Sequence, residues 1–403
     1  MKVALVHDWL TGRRGGEKCL EALCELYPGA DLFTLVHVPG SVSPTVENRR
    51  IVTSPLQRIP GARRWYRFLL PAMPSAIESL DLSDYDLVLS TSHCVAKGAL
   101  GRPEALHICY MHTPMRYAWD LWPQYFRNRR TAYRFALAPV LNYLRTWDAT
   151  SASRVDRFVA NSRFVARRIQ KYYRRTASVV HPPVDTEFFT LGGESRDYYL
   201  IVAALVPYKG IDLAIEAFNE LRLPLRIVGE GHLRRKLAAK AGPTVEFTGR
   251  LSDEELRDCY RGCRAVIQAG AEDFGIVPLE AQACGRPVIA LGRAGALDTV
   301  HPLNRRHSFI SSSLGGDRTQ PPTGVFFYEF KAEALAAAVR YFEENEDEFE
   351  PEALRRNALR FDRSIFKERM RALIRETLSA RDELGQDRED RVRAERERRL
   401  RYS

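Results

Sequence analysis

Two glutamates and the residues between them carry the clearest sign of chemistry in this sequence. Glu272 and Glu280 lie in AGAEDFGIVPLEAQACGRPVIA at residues 269–290, where a loop with Gly275 leads into a helix predicted to begin at Pro278. Proline suits the first helical position, and glycine permits close backbone approach to a ligand. Carboxylates accept hydrogen bonds from vicinal diols, and amides at a helix start suit an anionic or hydroxyl-rich ligand. The stretch therefore predicts a site for a sugar or a ribose.

The spacing of the two glutamates is not specific on its own. Pairs eight residues apart are expected about once or twice by chance in a chain of this size. The structural alternative is a solvated loop glutamate followed by a helix-capping glutamate. The context favours the functional interpretation, because a strand and a small-residue loop precede FG, and a proline and a helix ending at ACGRP follow it.

Two further residues follow predicted strands in positions that favour chemistry. Lys209, in ALVPYKGIDLAIEAF at 204–218, lies between a strand and the amino end of a helix. A lysine there can neutralise a diphosphate that the helix dipole also attracts, although most loop lysines are only solvated. His112, in ICYMHTPMRYAWD at 108–120, follows a strand and is expected at the carboxyl edge of its sheet. A lone histidine in such a place is more often structural than catalytic.

The elements that must position these residues alternate along the chain. The run VALVH precedes the loop TGRRGG and a helical pattern from Glu17 to about Tyr27. Apolar strands alternating with helices are typical of a parallel sheet covered on both faces. Further strands are predicted at 31–36, 86–91, 106–111, 157–160 and 178–181, with helices at 129–145 and 163–173.

The alternation begins afresh after the polar segment TLGGESRD at 190–197. Strands are then predicted at 198–205, 224–229, 245–249, 264–269, 287–291 and 324–328. Two such series predict an α/β protein with two doubly wound, Rossmann-like domains and a cleft between them. The expected divisions are an amino-terminal domain at 1–190, a carboxyl-terminal domain at 191–360, a helix at 361–380 that packs back on the first domain, and a charged tail at 381–403.

Composition restricts the class of protein without choosing its activity. The 403 residues contain no apolar run long enough to cross a bilayer, and the apolar part of MKVALVHDWL is too short for a secretory signal. The seven cysteines are scattered and form no paired CxxC motifs, so neither a disulfide framework nor a zinc site is indicated. We therefore expect a cytoplasmic protein without a metal site.

The net charge of +10 calls for an anionic partner. A basic surface attracts nucleic acid, anionic lipid or phosphorylated small molecules alike. The segment RIPGARRWYRFLLP at 58–71 mixes arginines with Trp65, Tyr66 and Phe68. This mixture is typical of an interfacial membrane helix, and a solvated amphipathic helix is an equally good interpretation.

Together these motifs resemble the nucleotide-sugar glycosyltransferases of family 4, which have the GT-B fold and retain anomeric configuration. The resemblance implies that Lys209 binds the leaving-group phosphates, Glu272 the sugar and Glu280 the ribose, without a metal or cofactor. Its implied catalytic residues are His112, Lys209 and Glu272. Its implied donor-binding residues are Gly15 and Gly16 at the phosphates, Gly249, Arg250 and Leu251 at the nucleobase, and Phe274, Gly275, Ile276, Val277 and Glu280 at the sugar and ribose.

The runs HTPMRYAWD and HDWLTGRRGGEK resemble a subgroup that builds bacterial polysaccharides. That likeness implies transfer of a hexose, with GDP-mannose favoured, to a carbohydrate acceptor linked to a polyprenyl or other lipid. The implied location is the inner face of the plasma membrane. One departure concerns charge, because Ala204 and Gly210 stand where many family members have arginine. Arg13, Arg14 and Arg250 are the candidates to replace it.

Two other classes of function remain open from the sequence. A non-catalytic protein could use the basic aromatic segments, including SRFVARRIQKYYRR at 162–175, to bind membrane or nucleic acid. No RRM, KH or zinc-finger signature supports nucleic acid, so we expect none. A sibling GT-B activity such as epimerisation or phosphorolysis is the other alternative, although no pyridoxal-phosphate lysine motif is recognisable.

Overall fold

The structure, a computed structural model, contains two parallel sheets. It describes residues 1–13, 15–120, 131–194, 196–303 and 320–401, and the side chains of these ranges except those of 131–136 and 384–401. Arg14 and residues 402–403 of the charged tail therefore lie outside the described residues. Within the described ranges, no helix is long and apolar enough to cross a membrane.

In the described part of the chain, the first sheet has seven parallel strands in the order β3-β2-β1-β4-β5-β6-β7. The strands are β1 Val3–His7, β2 Asp31–Thr34, β3 Ile51–Thr53, β4 Leu87–Ser92, β5 Leu106–Met111, β6 Arg157–Ala160 and β7 Ala177–Val179. The helices between them are α1 Gly15–Leu26, α2 Pro44–Glu47, α3 Ala62–Trp65, α4 Met73–Glu78, α5 Thr131–Ser151 and α6 Arg163–Tyr173. Strands β1, β4 and β5 are buried throughout, as their apolar sequences predict for strands covered on both faces.

The second sheet has six parallel strands in the described residues, in the order β10-β9-β8-β11-β12-β13. They are β8 Tyr199–Val202, β9 Leu225–Val228, β10 Val245–Gly249, β11 Val266–Gln268, β12 Val288–Leu291 and β13 Gly324–Phe327. The intervening helices are α7 Ile211–Leu221, α8 Arg234–Ala238, α9 Asp253–Gly262, α10 Ile276–Ala283, α11 Ala296–Thr299 and α12 Ala332–Glu343. The predicted α/β class and the two doubly wound sheets are confirmed.

Strand order reverses once in each sheet. The reversal lies between β1 and β4 in the first sheet and between β8 and β11 in the second. At such a point, the loops after the two neighbouring strands run to opposite faces and leave a crevice at the carboxyl edge, where ligands of open α/β sheets bind. These two crevices are therefore the places to look for a site.

The end of the chain returns to the first sheet. After α13 Pro351–Leu359, a backbone bridge joins Asp362 to Val184, and the long helix α14 Arg363–Arg401 follows. Phe366 and Met370 enter the core formed with β1 and α1. The predicted helix and the predicted tail form one continuous helix over the described residues.

Some local predictions have the wrong bounds. The helix predicted from Pro278 begins at Ile276, with Gly275 before it at φ +94°, so Glu280 lies in the second turn of α10. Proline is tolerated throughout a first helical turn because the amides there have no intrahelical partner.

The segment 58–71 is not the single amphipathic helix that its pattern suggested. Helix α3 has only four residues, and a 3₁₀ helix at Tyr66–Ala72 continues it. Gly61 at φ +75° precedes α3, and Pro71 lies near the end of the 3₁₀ turn, where it supplies no amide hydrogen. The segment is therefore a compact surface turn.

Candidate functional site

Lys209 and Glu272 lie together in the crevice of the second sheet. Lys209 follows β8 and Glu272 follows β11, the two strands between which strand order reverses. The Lys209 Nζ lies 2.5 Å from Glu272 Oε1, and both side chains keep a minority of their surface exposed. Gly210, at φ +66°, lets this loop pass close to Ala269, because a Cβ there would come within 3.2 Å of the Ala269 carbonyl. An ammonium and a carboxylate therefore stand at the amino end of α7.

Glu280 is buried and already has partners on both carboxylate oxygens. Lys18 Nζ lies 2.6 Å from Oε1, and the Tyr260 hydroxyl donates a 2.8 Å hydrogen bond to Oε2. Although burial disfavours the ammonium ion, the Glu280 carboxylate raises the pKa of Lys18 above its ordinary value. Lys18 belongs to α1, so this ion pair joins the two halves of the molecule across the cleft.

The amino end of α10 lies next to these carboxylates. Gly275 precedes the helix, and Ile276 and Val277 form its first turn with half-buried side chains. The Phe274 ring is buried instead, stacked on His181 at 5.3 Å between ring centroids. Phe274 can therefore offer a ligand only its backbone, whereas the first-turn amides of α10 carry the partial positive charge that favours an anion.

His112 faces this helix from the first sheet. It follows β5, and a Cβ on Gly16 would lie 3.5 Å from the His112 Nε2, while a Cβ on Gly15 would come within 2.9 Å of Ile276 Cδ1. Burial, together with the nearby His93, lowers the pKa of His112 to about 3, so the ring is neutral at physiological pH. Its Nε2 is buried and makes no hydrogen bond to the described residues. Gly16 thus lets α1 approach this nitrogen, and Gly15 lets the first turn of α10 approach α1.

The segment predicted to meet the nucleobase lies at the edge of the second sheet. Gly249 has φ +78°, ends β10 and accepts a 2.8 Å hydrogen bond from the Gly229 amide. No described heavy atom lies within 4 Å of a Cβ built on Gly249, so there is open space beside it. Leu251 is half-buried, and Arg250 is exposed.

Asp273 is a buried charged residue that sequence reasoning missed. Its carboxylate accepts hydrogen bonds from Arg116, with Nε at 2.7 Å, and from Arg168, with Nη1 at 3.2 Å. Its backbone carbonyl accepts a hydrogen bond from the Ser162 hydroxyl. All three donors belong to the first half of the chain, so Asp273 is a second ionic junction between the halves.

Arg116 brings a guanidinium to the loop that contains Lys209. It lies over the Tyr208 ring at 5.6 Å from the centroid, next to Lys209 in the chain. Although burial disfavours the charged form, Asp273 raises the pKa of Arg116 further above its usual value. By contrast, Arg13 is exposed. The signal for Arg116 was present in HTPMRYAWD, and that for Lys18 in GRRGGEK, but only the fold brings them to the cleft.

No metal centre accompanies these residues in the described ranges, where no three His, Cys, Asp or Glu side chains are grouped to hold an ion.

Two family models match most of the chain. The model "Glycosyltransferase Family 4" matches residues 13–188, and the model "Glycosyl transferases group 1" matches residues 185–361. This chain belongs to the family 4 glycosyltransferases. The two matches overlap at residues 185–188, and they include the residues after β4, β8 and β11.

Curated relatives of this glycosyltransferase are similar over parts of their length. An uncharacterized glycosyltransferase of Methanocaldococcus jannaschii is 29% identical over 36% of this chain and 42% of its own. D-inositol 3-phosphate glycosyltransferase 2 of Catenulispora acidiphila is 28% identical over 46% and 52%. O-antigen chain mannosyltransferase C of Escherichia coli is 36% identical over 23% and 27%. The chain thus spans about half or less of the length of these relatives.

Solved structures confirm the predicted GT-B arrangement of the glycosyltransferase. Sucrose-phosphate synthase of Thermosynechococcus elongatus aligns with a TM-score of 0.69 at 17% identity, over 94% of this chain and 100% of that one. Anabaena HepE in complex with UDP and glucose aligns with a TM-score of 0.63 at 17% identity, over 94% and 99%. At these identities the likeness concerns the fold.

Proposed function

We propose that this glycosyltransferase moves a hexose, with retention and without a metal ion, from a nucleotide diphosphate sugar to a hydroxyl of a growing, lipid-linked bacterial polysaccharide or lipopolysaccharide. GDP-mannose is the favoured donor. One observation carries the proposal. Lys209 and Glu272 form a pair at the reversal point of the second sheet, and His112 and the first turn of α10 lie at the same cleft.

The Lys209–Glu272 pair supplies two complementary groups to the donor. When a diphosphate enters, Lys209 turns its ammonium to the phosphates, and Glu272 is released to accept hydrogen bonds from sugar hydroxyls. Arg116 stands beside Tyr208 and contributes a second cation, which compensates for Ala204. Fixed cations and helix amides stabilise the negative charge that develops on the leaving diphosphate.

Neutral His112 completes the site from the other half of the molecule. Because its Nε2 is buried without a hydrogen bond to the described residues, it is available to a hydroxyl of the donor sugar. As the bond between the anomeric carbon and the phosphate oxygen breaks, the departing oxygen takes the proton of the acceptor hydroxyl that bonds to the same carbon. This front-face course needs no separate base, and the new bond forms on the face that the phosphate leaves.

Two relatives indicate which nucleotides to compare first. The Escherichia coli relative is an O-antigen chain mannosyltransferase, in line with the likeness of HTPMRYAWD to polysaccharide-building enzymes. Anabaena HepE has been crystallised with UDP-glucose. The nucleotides GDP and UDP are therefore the first to compare.

The acceptor is proposed to reach the site from a membrane surface. Segment 61–72 exposes arginines together with Phe68, which has 83% of its surface exposed, and Trp65. Tyr66 of the same segment is buried against the loop after β1, with its hydroxyl 3.1 Å from Thr11 Oγ1. A lipid-bound acceptor would thus lie next to the crevice of the first sheet.

The proposal is tested by donor binding and turnover in matched variants. We expect wild-type protein to bind GDP or UDP and to release the nucleotide from the matching sugar donor. Lys209→Ala should reduce turnover by about 100-fold, the scale of one lost electrostatic group in a transition state. Glu280→Gln should weaken nucleotide binding about tenfold, since one charged hydrogen-bond acceptor is lost.

The matched control for these variants is Lys2→Ala. Lys2 also pairs with a carboxylate, that of Asp84. It precedes β1, so it lies at the amino ends of the strands of the first sheet, whereas the crevice lies at their carboxyl ends. Thermal unfolding of each variant checks that it is folded. Turnover that is unchanged in both Lys209→Ala and Glu280→Gln, or wild-type protein that binds neither GDP nor UDP, would contradict the proposal.

A further inference from the structure

A buried glutamine at the crevice of the second sheet lacks hydrogen-bond partners in the described part of the chain. Gln268 is the last residue of β11, and only 4% of its surface is exposed. Neither its Oε1 nor its Nε2 makes a hydrogen bond to the described residues. An unpaired buried amide costs stability, because both polar atoms gave up their hydrogen bonds to water when the chain folded. The stability of the fold therefore does not account for a glutamine at this position.

The side chain of Gln268 lies on the apolar face of β11 that packs against α10. Side chains two positions apart along a strand share a face, so Gln268 lies on the same face as Val266. Val266 belongs to a core cluster with Ala281 of α10, and Val277 of the same helix packs against that cluster. An apolar side chain would suit these surroundings better than an amide does.

The amide of Gln268 lies against the start of α10. A Cβ built on Gly275, the residue before this helix, would come within 3.2 Å of Gln268 Nε2 and 3.3 Å of Oε1. Ile276 follows Gly275 and faces α1, because a Cβ on Gly15 would come within 2.9 Å of Ile276 Cδ1. The unpaired amide therefore lies beside the helix start at which the two halves of the protein meet.

The end of β11 also lies against the loop that contains Lys209. A Cβ on Gly270, the second residue after Gln268, would come within 2.8 Å of the Lys209 Cα. Glu272, the ionic partner of Lys209, belongs to the same connection between β11 and α10. Gln268 thus ends the strand that leads to a carboxylate proposed to bind the donor, in the crevice where strand order reverses.

The chemistry of the amide indicates which kind of ligand would complete it. A carboxamide places a hydrogen-bond acceptor and a donor side by side. A phosphate oxygen only accepts, so it would pair with Nε2 and leave Oε1 without a partner. Two adjacent hydroxyls satisfy both atoms, since one hydroxyl donates to Oε1 and the other accepts from Nε2. Ribose and hexose both carry such a diol.

We propose that Gln268 binds a vicinal diol of the donor, from its ribose or its hexose, through both atoms of the side-chain amide. The inference rests on the proposed function, since it assigns a further residue of the same donor site. It predicts opposite effects of one substitution on stability and on binding. Removal of the amide should stabilise the protein without ligand and weaken its binding of the donor, whereas loss of a residue that only supports the fold would lower stability.

Gln268→Met tests this prediction, because methionine has a similar length and no amide. We expect its melting temperature without ligand to exceed that of wild type by about 2–4 °C, the shift for removal of one unpaired buried group from a domain of this size. Its affinity for GDP-mannose or UDP-glucose, whichever the wild type binds, should fall about tenfold in titration calorimetry, since two hydrogen bonds are lost.

Gln282→Met is the matched control, because Gln282 is a buried glutamine whose amide has partners. Its Nε2 donates a 3.0 Å hydrogen bond to the Thr299 carbonyl, and its Oε1 accepts a 2.6 Å hydrogen bond from Asn357. Loss of this amide leaves those partners unpaired, so the melting temperature of Gln282→Met should fall below that of wild type.

Two further comparisons identify the group that Gln268 meets. Equal losses of affinity for the free nucleotide, GDP or UDP, and for its sugar donor would assign the contact to the ribose, and a loss confined to the sugar donor would assign it to the hexose. In either case folded Gln268→Glu should lose less affinity than Gln268→Met, because a carboxyl group still accepts from a hydroxyl. A greater loss in Gln268→Glu would indicate a contact with phosphate, and would overturn the proposal.

The outcomes distinguish this inference from the proposed function. Wild-type protein that binds neither nucleotide and neither sugar donor defeats the proposed function, and the inference with it. Wild-type protein that binds a donor while Gln268→Met binds it as tightly overturns the inference alone. A melting temperature of Gln268→Met that is not above that of wild type also overturns it, because the amide would then already have a partner, such as an enclosed water molecule, in the protein without ligand.

Discussion

At the scale of single residues, the cleft contains acids that are already partnered. Glu272 is paired with Lys209, and Glu280 with Lys18 and Tyr260. A donor that bound through these carboxylates would have to replace the ammonium groups with hydroxyls. Part of the binding free energy is therefore spent on separating ion pairs, and the lysines become available to phosphates at the same time.

Replacing Lys18 by methionine tests whether this exchange occurs. The pair is worth about 1 kcal/mol, because the Lys18 side chain is partly exposed and its charge is screened. We expect Lys18→Met to unfold at a lower temperature than wild type without nucleotide, with the difference shrinking when GDP or UDP is saturating. Equivalently, the nucleotide should bind a few-fold more tightly to the variant, since about 1.4 kcal/mol corresponds to tenfold.

Lys240→Met is the matched control, as Lys240 is exposed and lies just after α8. Differential scanning fluorimetry with and without nucleotide is sufficient for the measurement. If the nucleotide leaves the stability difference between Lys18→Met and wild type unchanged, the ribose does not compete for Glu280.

At the scale of elements, the segment after β3 presents an unusual surface. Helix α3 and the 3₁₀ turn that follows bury Ala62 and Tyr66 and leave Trp65, Arg67 and Phe68 exposed. Exposed aromatic rings beside arginines suit the interface of an anionic bilayer. The rings are buried at the boundary of the acyl chains there, and the arginines are attracted to the anionic headgroups. A short turn can present only a few such residues, so the binding should be reversible.

The expected contribution of this segment follows from its composition. Each arginine near an anionic surface contributes about 1 kcal/mol, and burial of a phenylalanine side chain about 1.5–3 kcal/mol. Phe68→Ser combined with Arg67→Ser should therefore lower binding to vesicles rich in phosphatidylglycerol at least tenfold in a flotation assay. Vesicles of phosphatidylcholine should bind wild type weakly.

The matched control for flotation carries Arg235→Ser, which removes one exposed arginine from α8 in the second half. This variant has the same change in net charge as the test variant, but the substitution lies away from segment 61–72. Equal loss of binding in the control and the test variant would mean that net charge, and not this segment, binds the vesicles.

At the scale of the whole molecule, ionic contacts cross the cleft at several points. Asp273 forms ion pairs with Arg116 and Arg168, and Glu280 forms one with Lys18. The Asp298 carboxylate accepts a 2.8 Å hydrogen bond from the backbone amide of Arg163. Buried pairs of this kind add little net stability as pairs, but removal of one partner leaves an uncompensated charge. They therefore define how the two halves meet.

Asp273→Asn should be the most disruptive single change at this junction. It leaves the buried guanidinium of Arg168 and the half-buried guanidinium of Arg116 without their shared carboxylate, at a cost of about 3–5 kcal/mol. We expect a lower urea midpoint and a larger radius of gyration in solution scattering, because the halves separate more easily. Asp258→Asn is the control, since Asp258 is exposed and its nearest pairing, with Arg261, is 3.9 Å.

An Asp273→Asn variant with wild-type stability and scattering would mean that the remaining partners of the two arginines are sufficient, such as Asp120, which already pairs with Arg168. The halves would then be held mainly by the return of α14 to α1, where Arg363 pairs with Glu21 and Glu25. The double variant Asp273→Asn and Arg363→Ala separates these two contributions.

The sequence by itself determined the architecture and the residues of the second sheet's crevice. Fully apolar strands alternating with amphipathic helices leave a parallel sheet as the stable arrangement, and two such series give two sheets. Lys209 and Glu272 each lie in the connection between a strand and the next helix, so their place at a carboxyl edge could be predicted from local pattern. Their direct pairing at 2.5 Å could not.

Tertiary structure alone decided which distant residues meet across the cleft. Lys18 and Glu280 are 262 positions apart, Arg116 and Asp273 157. Nothing in the local pattern around Asp8 pairs it with His93, 85 positions later. Secondary structure follows from periodicity within a few turns, whereas such contacts depend on strand order and on how two sheets face each other. These are set by the packing of the complete cores, which no short stretch of sequence encodes.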